Sequence, residues 1–192
     1  MFRHDPASAY EYGRPGRERL PKMTLLNHQS IMNGLFGPPA IDVKTIGILV
    51  YDGVDHVTIE DNVIDLVNGR FGIELYSDNG SIIRHNTLRY ATTCEYVACG
   101  QIILDHKSAD PAGRGTVIVD NIATAIWMNN GSTAARVEGN MVCEGPGAGN
   151  FLGAPLYAGG AVPTTLLGFK LAAGSPGQAR ATDGLDVGIR RP

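Results

Sequence analysis

Glu74 and Asp105 are the two carboxylates whose placement could carry catalysis. Each sits in a short alternating apolar stretch, FGIELY (71–76) and QIILD (101–105). If Ile48, Ile73, Ile102 and Ile126 point inward, the alternate residues form two outward rows. One is Leu49, Glu74, Ile103 and Trp127; the other is Tyr51, Tyr76, Asp105 and Asn129. On neighbouring strands, Glu74 and Asp105 would have backbones roughly 8 Å apart, from about 4.8 Å between strands and about 6.6 Å along one. Carboxyl groups about 6.5–9.5 Å apart suit inverting hydrolysis of a glycoside, because a water fits between base and sugar. Tyr51, Tyr76 and Trp127 would give sugar rings an apolar face. Asn129, Arg70 and Arg114 would supply polar contacts to the same substrate. A one-residue slip in QIILD would turn Asp105 inward, and the cost of an unpaired buried carboxylate favours the outward register. In the plainer alternative, Glu74 solvates the surface and the aromatics pack under loops.

The stretch LDHKSADPAGRG (104–115) reads as a long loop rich in Asp105, His106, Lys107, Asp110 and Arg114. Elimination from a uronate needs one group to neutralise the carboxylate and a base to take a proton. Lys107 or Arg114 could neutralise, and His106, Tyr76 or Lys107 could be the base; the alternative is a solvated charged loop. Asp52, Asp78 and Glu95 are candidate oxygen ligands for calcium, although Asp-Gly and Asp-Asn-Gly are also ordinary turn formers. Arg84 and His85, with Glu60, Asp61, Asp120 and Glu138, read as an exposed stripe of ion pairs, each of small worth. Cys94 and Cys99, in TTCEYVACG, could close a small disulfide if the protein is exported; the alternative is three free thiols, with Cys143 the third.

These residues need elements to position them, and the chain repeats. VTIEDNVI (57–64), SIIRHNTL (81–88), TVIVDNIA (116–123) and ARVEGNMV (135–142) each carry Asn at the sixth position: Asn62, Asn86, Asn121 and Asn140. Three residues before each Asn stands an aliphatic, Ile59, Ile83, Ile118 or Val137. Between these lie TIGILVYDG, RFGIELYSDNG, CGQIILDHK and ATAIWMNNG, alternating strands behind a Gly or other small residue. A strand that bends at Asn, which tolerates the left-handed region, could stack its amide on the Asn of the next coil about 4.8 Å away. Inward aliphatics would stack likewise, since one coil alone cannot bury its inner face.

The four Asn turns and the G-I-x-L strands, over residues 45 to about 145, resemble the right-handed parallel β-helix family, also called pectin-lyase-like. FKLAAGSPG followed by DGLDVGIR (169–190) is similar to the segment that closes many exported members. The resemblance implies an all-β, single-stranded right-handed parallel solenoid of about four to five coils. It places the Asn turn between the second and third strands of each coil and a substrate groove along the outer face of the first. The family spans lyases, hydrolases, epimerases, tailspikes and adhesins, so it implies a polysaccharide partner without naming a reaction. The coils are fewer than in family enzymes and the usual helical cap is not evident, which allows a homo-oligomer partner over an open edge.

The chain of 192 residues reads as one domain: residues 1–44 an irregular segment or degenerate first coil around Asn27, 45–150 the coils, and 151–192 a closing segment. Its formal charge of −3, without a basic stripe, argues against nucleic acid as partner. No stretch is apolar enough to insert in a membrane as a helix. The first twenty residues hold no apolar signal core, so the chain either stays inside or is a mature or excised form; the resemblance favours the second, secreted or at the cell surface. The expectation is a carbohydrate-active solenoid, of hydrolase, lyase or epimerase type, with a noncatalytic glycan-binding, adhesin or tail-fibre module as the rival. No local catalytic signature decides between them.

Overall fold

The computed structural model describes residues 24–26, 29–31, 46–51, 54–65, 71–88, 100–107 and 109–190. Asp52, Arg70, Cys94, Glu95, Cys99 and Asn27 lie outside them. Within the described residues the protein is all-β apart from a 3₁₀ turn at Leu166–Phe169.

Among the described residues, fifteen short strands form three parallel sheets. The first sheet holds β3 (Ile46–Val50), β6 (Phe71–Tyr76), β9 (Gln101–Asp105) and β12 (Ile126–Met128). The second holds β1 (Thr24–Leu26), β4 (Thr58–Glu60), β7 (Ile82–Arg84), β10 (Thr116–Val119) and β13 (Ala134–Glu138). The third holds β2 (Gln29–Ile31), β5 (Val63–Asp65), β8 (Thr87–Leu88), β11 (Ile122–Ala123), β14 (Met141–Val142) and β15 (Phe151–Leu152). Up to β14 the described strands visit the sheets in turn, each pairing in parallel with its equivalent in the next coil, and β15 then returns to pair with β14 in the third sheet. The result is a parallel β-solenoid.

Period-two alternation explains the interior. Ile48, Ile73, Ile102 and Ile126 share one register line, and Val50, Leu75, Leu104 and Met128 another. Ile59, Ile83, Ile118 and Val137 form the column of the second sheet. Most of these side chains are fully buried, with Ile59, Ile73, Ile83, Ile102 and Ile118 at 0% exposure. Two residues that continue the inward columns at the last coil are exposed, Met128 at 45% and Leu152 at 58%. Among the described residues β12 pairs only with β9, so that end of the core has no further coil above it. The glycine at the second position of β3 and of β6 has a steric cause. A Cβ on Gly72 would lie 2.1 Å from Leu88 Cδ2, and one on Gly47 2.4 Å from Ile64 Cγ2.

The asparagines form an unbroken interior ladder. Asn62 Nδ2 donates to Asn86 Oδ1, Asn86 Nδ2 to Asn121 Oδ1 and Asn121 Nδ2 to Asn140 Oδ1, each at 2.9 Å. Asn140 Nδ2 continues to Asn150 Oδ1 at 2.8 Å. The expectation that Asn itself takes the left-handed conformation is corrected. The residue before it does so: Asp61, His85, Asp120 and Gly139 have φ of 55°, 51°, 61° and 68°. That residue turns the chain, leaving the Asn side chain to point inward and stack.

The expected exposed stripe around these turns is also corrected. Arg84 pairs with Glu60 as expected, but Asp61, His85 and Asp120 are 1–2% exposed. The C-terminal segment covers them. Tyr157, Phe169, Leu171, Val187 and Ile189 pack with Val63, Ile122 and Met141 on the outer side of the third sheet. Ile189 N donates to Thr87 Oγ1 at 3.1 Å, and Arg190 grips Asp61 through its backbone N, Nε and Nη2. Cys143 is disulfide-bonded. The alternative of three free thiols therefore does not hold; the suggested Cys94–Cys99 pair lies outside the described residues.

Candidate functional site

The outer face of the first sheet brings together part of the residue set that the alternation singled out. Tyr76 stands in register with Asp105, and Glu74 with Leu49 and Ile103. The Tyr51 and Tyr76 rings lie on successive coils, centroids 5.6 Å apart and tilted by 58°. Lys107, at the start of the loop after β9, places its ammonium 3.8 Å from the centroid of the Tyr51 ring and 5.9 Å from that of Tyr76. A cation over an electron-rich ring face is attracted by the ring quadrupole. The two rings and one ammonium form an amphipathic surface whose members are half-buried or exposed.

Asp105 points outward, as the cost of an unpaired buried carboxylate requires. Its Oδ1 accepts from His106 N at 2.7 Å and from Asn130 Nδ2 at 2.8 Å. Asn130 was not singled out from sequence; it takes a left-handed φ of 49° in the turn after β12, which swings its amide back to the coil below. Asn129, the residue that was singled out, continues the strand by donating its N–H to Leu104 O at 2.9 Å. Trp127 is 36% exposed on the row it shares with Ile103. Arg114 is exposed and bridges to Asn79 in the turn toward the second sheet.

Glu74 occupies the outward row yet is only 3% exposed, and Ile103 beside it is 1% exposed. Of the proposed carboxylate pair, one is enclosed and one meets solvent. The His106 Nδ1 is buried and makes no hydrogen bond among the described residues. No side chain there orients the ring as a partner orients a general base.

Of the suggested calcium ligands, Asp78 alone is described, and it faces inward. It is 2% exposed and accepts hydrogen bonds from Ser81 Oγ and, at 2.7 Å, from Thr116 Oγ1. Burial raises its pKa above the ordinary 3.8; the two hydroxyls pull it down and the Asp55 carboxylate adds to the rise. Two hydroxyls satisfy this group as an internal polar staple between coils. The raised value means that Asp78 favours folding most below pH 3.8 and that this contribution is lost as pH rises through the folded-state value. Asp78→Asn should therefore flatten the dependence of stability on pH across that interval. Urea midpoints over a pH series check this, and an unchanged slope would contradict it.

No protein-family pattern, curated protein or solved structure matches the chain.

Proposed function

We propose that the protein is an exported glycan-binding solenoid of the right-handed, pectin-lyase-like class, with about four to five coils. It holds an acidic polysaccharide along the outer face of the first sheet. The observation that carries this reading is the Tyr51–Tyr76 pair under the Lys107 ammonium. A sugar ring would take the place of the ammonium on the Tyr51 face, and Lys107 would turn to meet a uronate carboxylate. Asp105 and Asn130, already hydrogen-bonded to one another, would meet the hydroxyls. The right-handed sense is supported by the general handedness of parallel crossover connections. Export is supported by the disulfide at Cys143, since such bonds persist in oxidising compartments.

Binding is preferred to catalysis because Glu74 is enclosed, whereas an inverting pair needs both carboxyls on the substrate. Affinity electrophoresis against uronate-bearing and neutral polysaccharides should show retardation by the acidic set, weakening as salt rises. Tyr51→Ala and Lys107→Ala should each weaken it roughly tenfold, about 1.4 kcal/mol. Equal retardation of these variants and the wild type would defeat the assignment. Release of reducing ends or of unsaturated uronate, abolished by Asp105→Asn, would replace binding with the catalytic reading.

A further inference from the structure

We propose that His85, Asp120 and Asp183 form a binding site for a divalent transition-metal cation, of the class of zinc, which clamps the C-terminal segment onto the solenoid. The three side chains come from two successive Asn turns and from the closing segment, far apart in sequence. His85 Nε2 lies 3.0 Å from Asp183 Oδ2 and 3.6 Å from Asp120 Oδ2. One ligand atom from each residue lies within 4.8 Å of the other two. Donors at about 2.1 Å from a common ion stand roughly 3.0–3.5 Å apart, so small side-chain shifts bring the set to bonding geometry.

The surroundings point the same way. His85 Nδ1 lies 3.1 Å from the Gly188 carbonyl oxygen. That oxygen can only accept, so Nδ1 carries a proton and Nε2 is the atom presented to the two carboxylates. Nε2 is within hydrogen-bond distance of Asp183 Oδ2, so it meets the two anionic oxygens either through its own proton or, with its lone pair free, through a cation between them. A proton serves one carboxylate at a time, whereas a divalent ion serves the nitrogen and both oxygens and matches their charge. A carbonyl that fixes the far nitrogen of an imidazole is the usual support for a metal-ligating histidine.

Asp120 is held in place from behind. Its Oδ1 accepts from Thr182 N and its Oδ2 from Thr182 Oγ1, both at 2.6 Å. Asp183 is 38% exposed at its side chain, which leaves a route for the ion and a face for water ligands. An imidazole with two carboxylates suits zinc, cobalt or manganese better than calcium, which takes oxygen ligands only. Arg190 Nη1, 3.9 Å from Asp183 Oδ2, is the competing cation, and its main grip is on Asp61.

Cobalt(II) is the probe, because coordination by this donor set gives visible d–d absorption. The untagged protein, freed of metal with a chelator and dialysed, should develop a visible band on titration that saturates near one equivalent. Zinc should abolish the band by displacement. Asp183→Asn keeps a side chain that can donate to or accept from His85 Nε2, so the segment stays docked, yet it should weaken cobalt binding at least tenfold. His85→Gln should abolish the band, with circular dichroism reporting that the fold persists. No band in the wild type, or an equal band in Asp183→Asn, overturns the proposal; the second result would assign the cobalt to another histidine such as His56 or His106.

Discussion

Asn121→Ala should cost about 4 kcal/mol of stability and lower the thermal midpoint by roughly 10 °C. Asn121 is central in the ladder and 0% exposed. Its Oδ1 accepts from both Asn86 N and Asn86 Nδ2, and its Nδ2 donates to Asn140 Oδ1, Ile83 O and Val119 O. Truncation orphans the Asn86 N–H in a site that water does not reach, and opens a void beside it. A buried donor without a partner costs about 1–3 kcal/mol, and neighbouring carbonyls lose a donor as well. Asn150→Ala is the internal comparison. Asn150 closes the ladder and is half-buried, so water can replace its bonds to the carbonyl oxygens of Pro146 and Ala148. Its loss should be less than half as large. Chemical denaturation of both variants decides the matter: a loss below about 1 kcal/mol for Asn121→Ala would show that the ladder contributes little, and equal losses would show that burial does not set the difference between the two positions.

Arg190→Met should be the most damaging change in the closing segment, at about 3–5 kcal/mol near neutral pH. The Asp61 side chain is 1% exposed and bonded to three nitrogens of Arg190. Burial by itself raises the Asp61 pKa, but the hydrogen bonds and charge of Arg190 outweigh it and leave the carboxyl below its ordinary 3.8. In the wild type this pairing therefore stabilises the fold above that value. The contribution is lost as pH falls through the lowered one. In the variant the side-chain bonds and the charge are gone and burial dominates, so the sign reverses. The deficit should be greatest near neutral pH and should shrink on acidification, as Asp61 takes up a proton and becomes neutral. Asp61→Asn should cost less, because Arg190 is 21% exposed at its side chain and keeps Glu60 at 3.5 Å. Urea midpoints from about pH 7 to about pH 4 test the reversal; a deficit that grows on acidification would contradict the assignment.

The first-strand rows, the inward columns and the four stacked asparagines were legible because each depends on a short-range rule. Alternation assigns Ile73 and Glu74 to opposite faces whatever the rest of the chain does. An amide is the side chain that can both donate to and accept from its own copy one coil away, so Asn at the sixth position of four segments is a strong signal. The left-handed residue before each Asn was legible in principle: Asp61, His85, Asp120 and Gly139 are types that tolerate positive φ. Their common conformation was obscured by their unlike side chains.

What the sequence by itself determined is the coil: strand, turn and inward face all follow from the pleat and from hydrogen bonding between identical neighbours. What only the tertiary structure decided is which outward faces stay wet. Asp61, His85 and Asp120 read as surface charges until the segment near residue 190 is seen lying over them, 129 residues beyond Asp61 along the chain. Glu74 reads as a groove carboxylate in the sequence, yet it is only 3% exposed. Alternation specifies the side of a sheet toward which a residue points. Solvent access depends on what another part of the chain lays over that side, and contacts so remote in sequence leave no periodic trace.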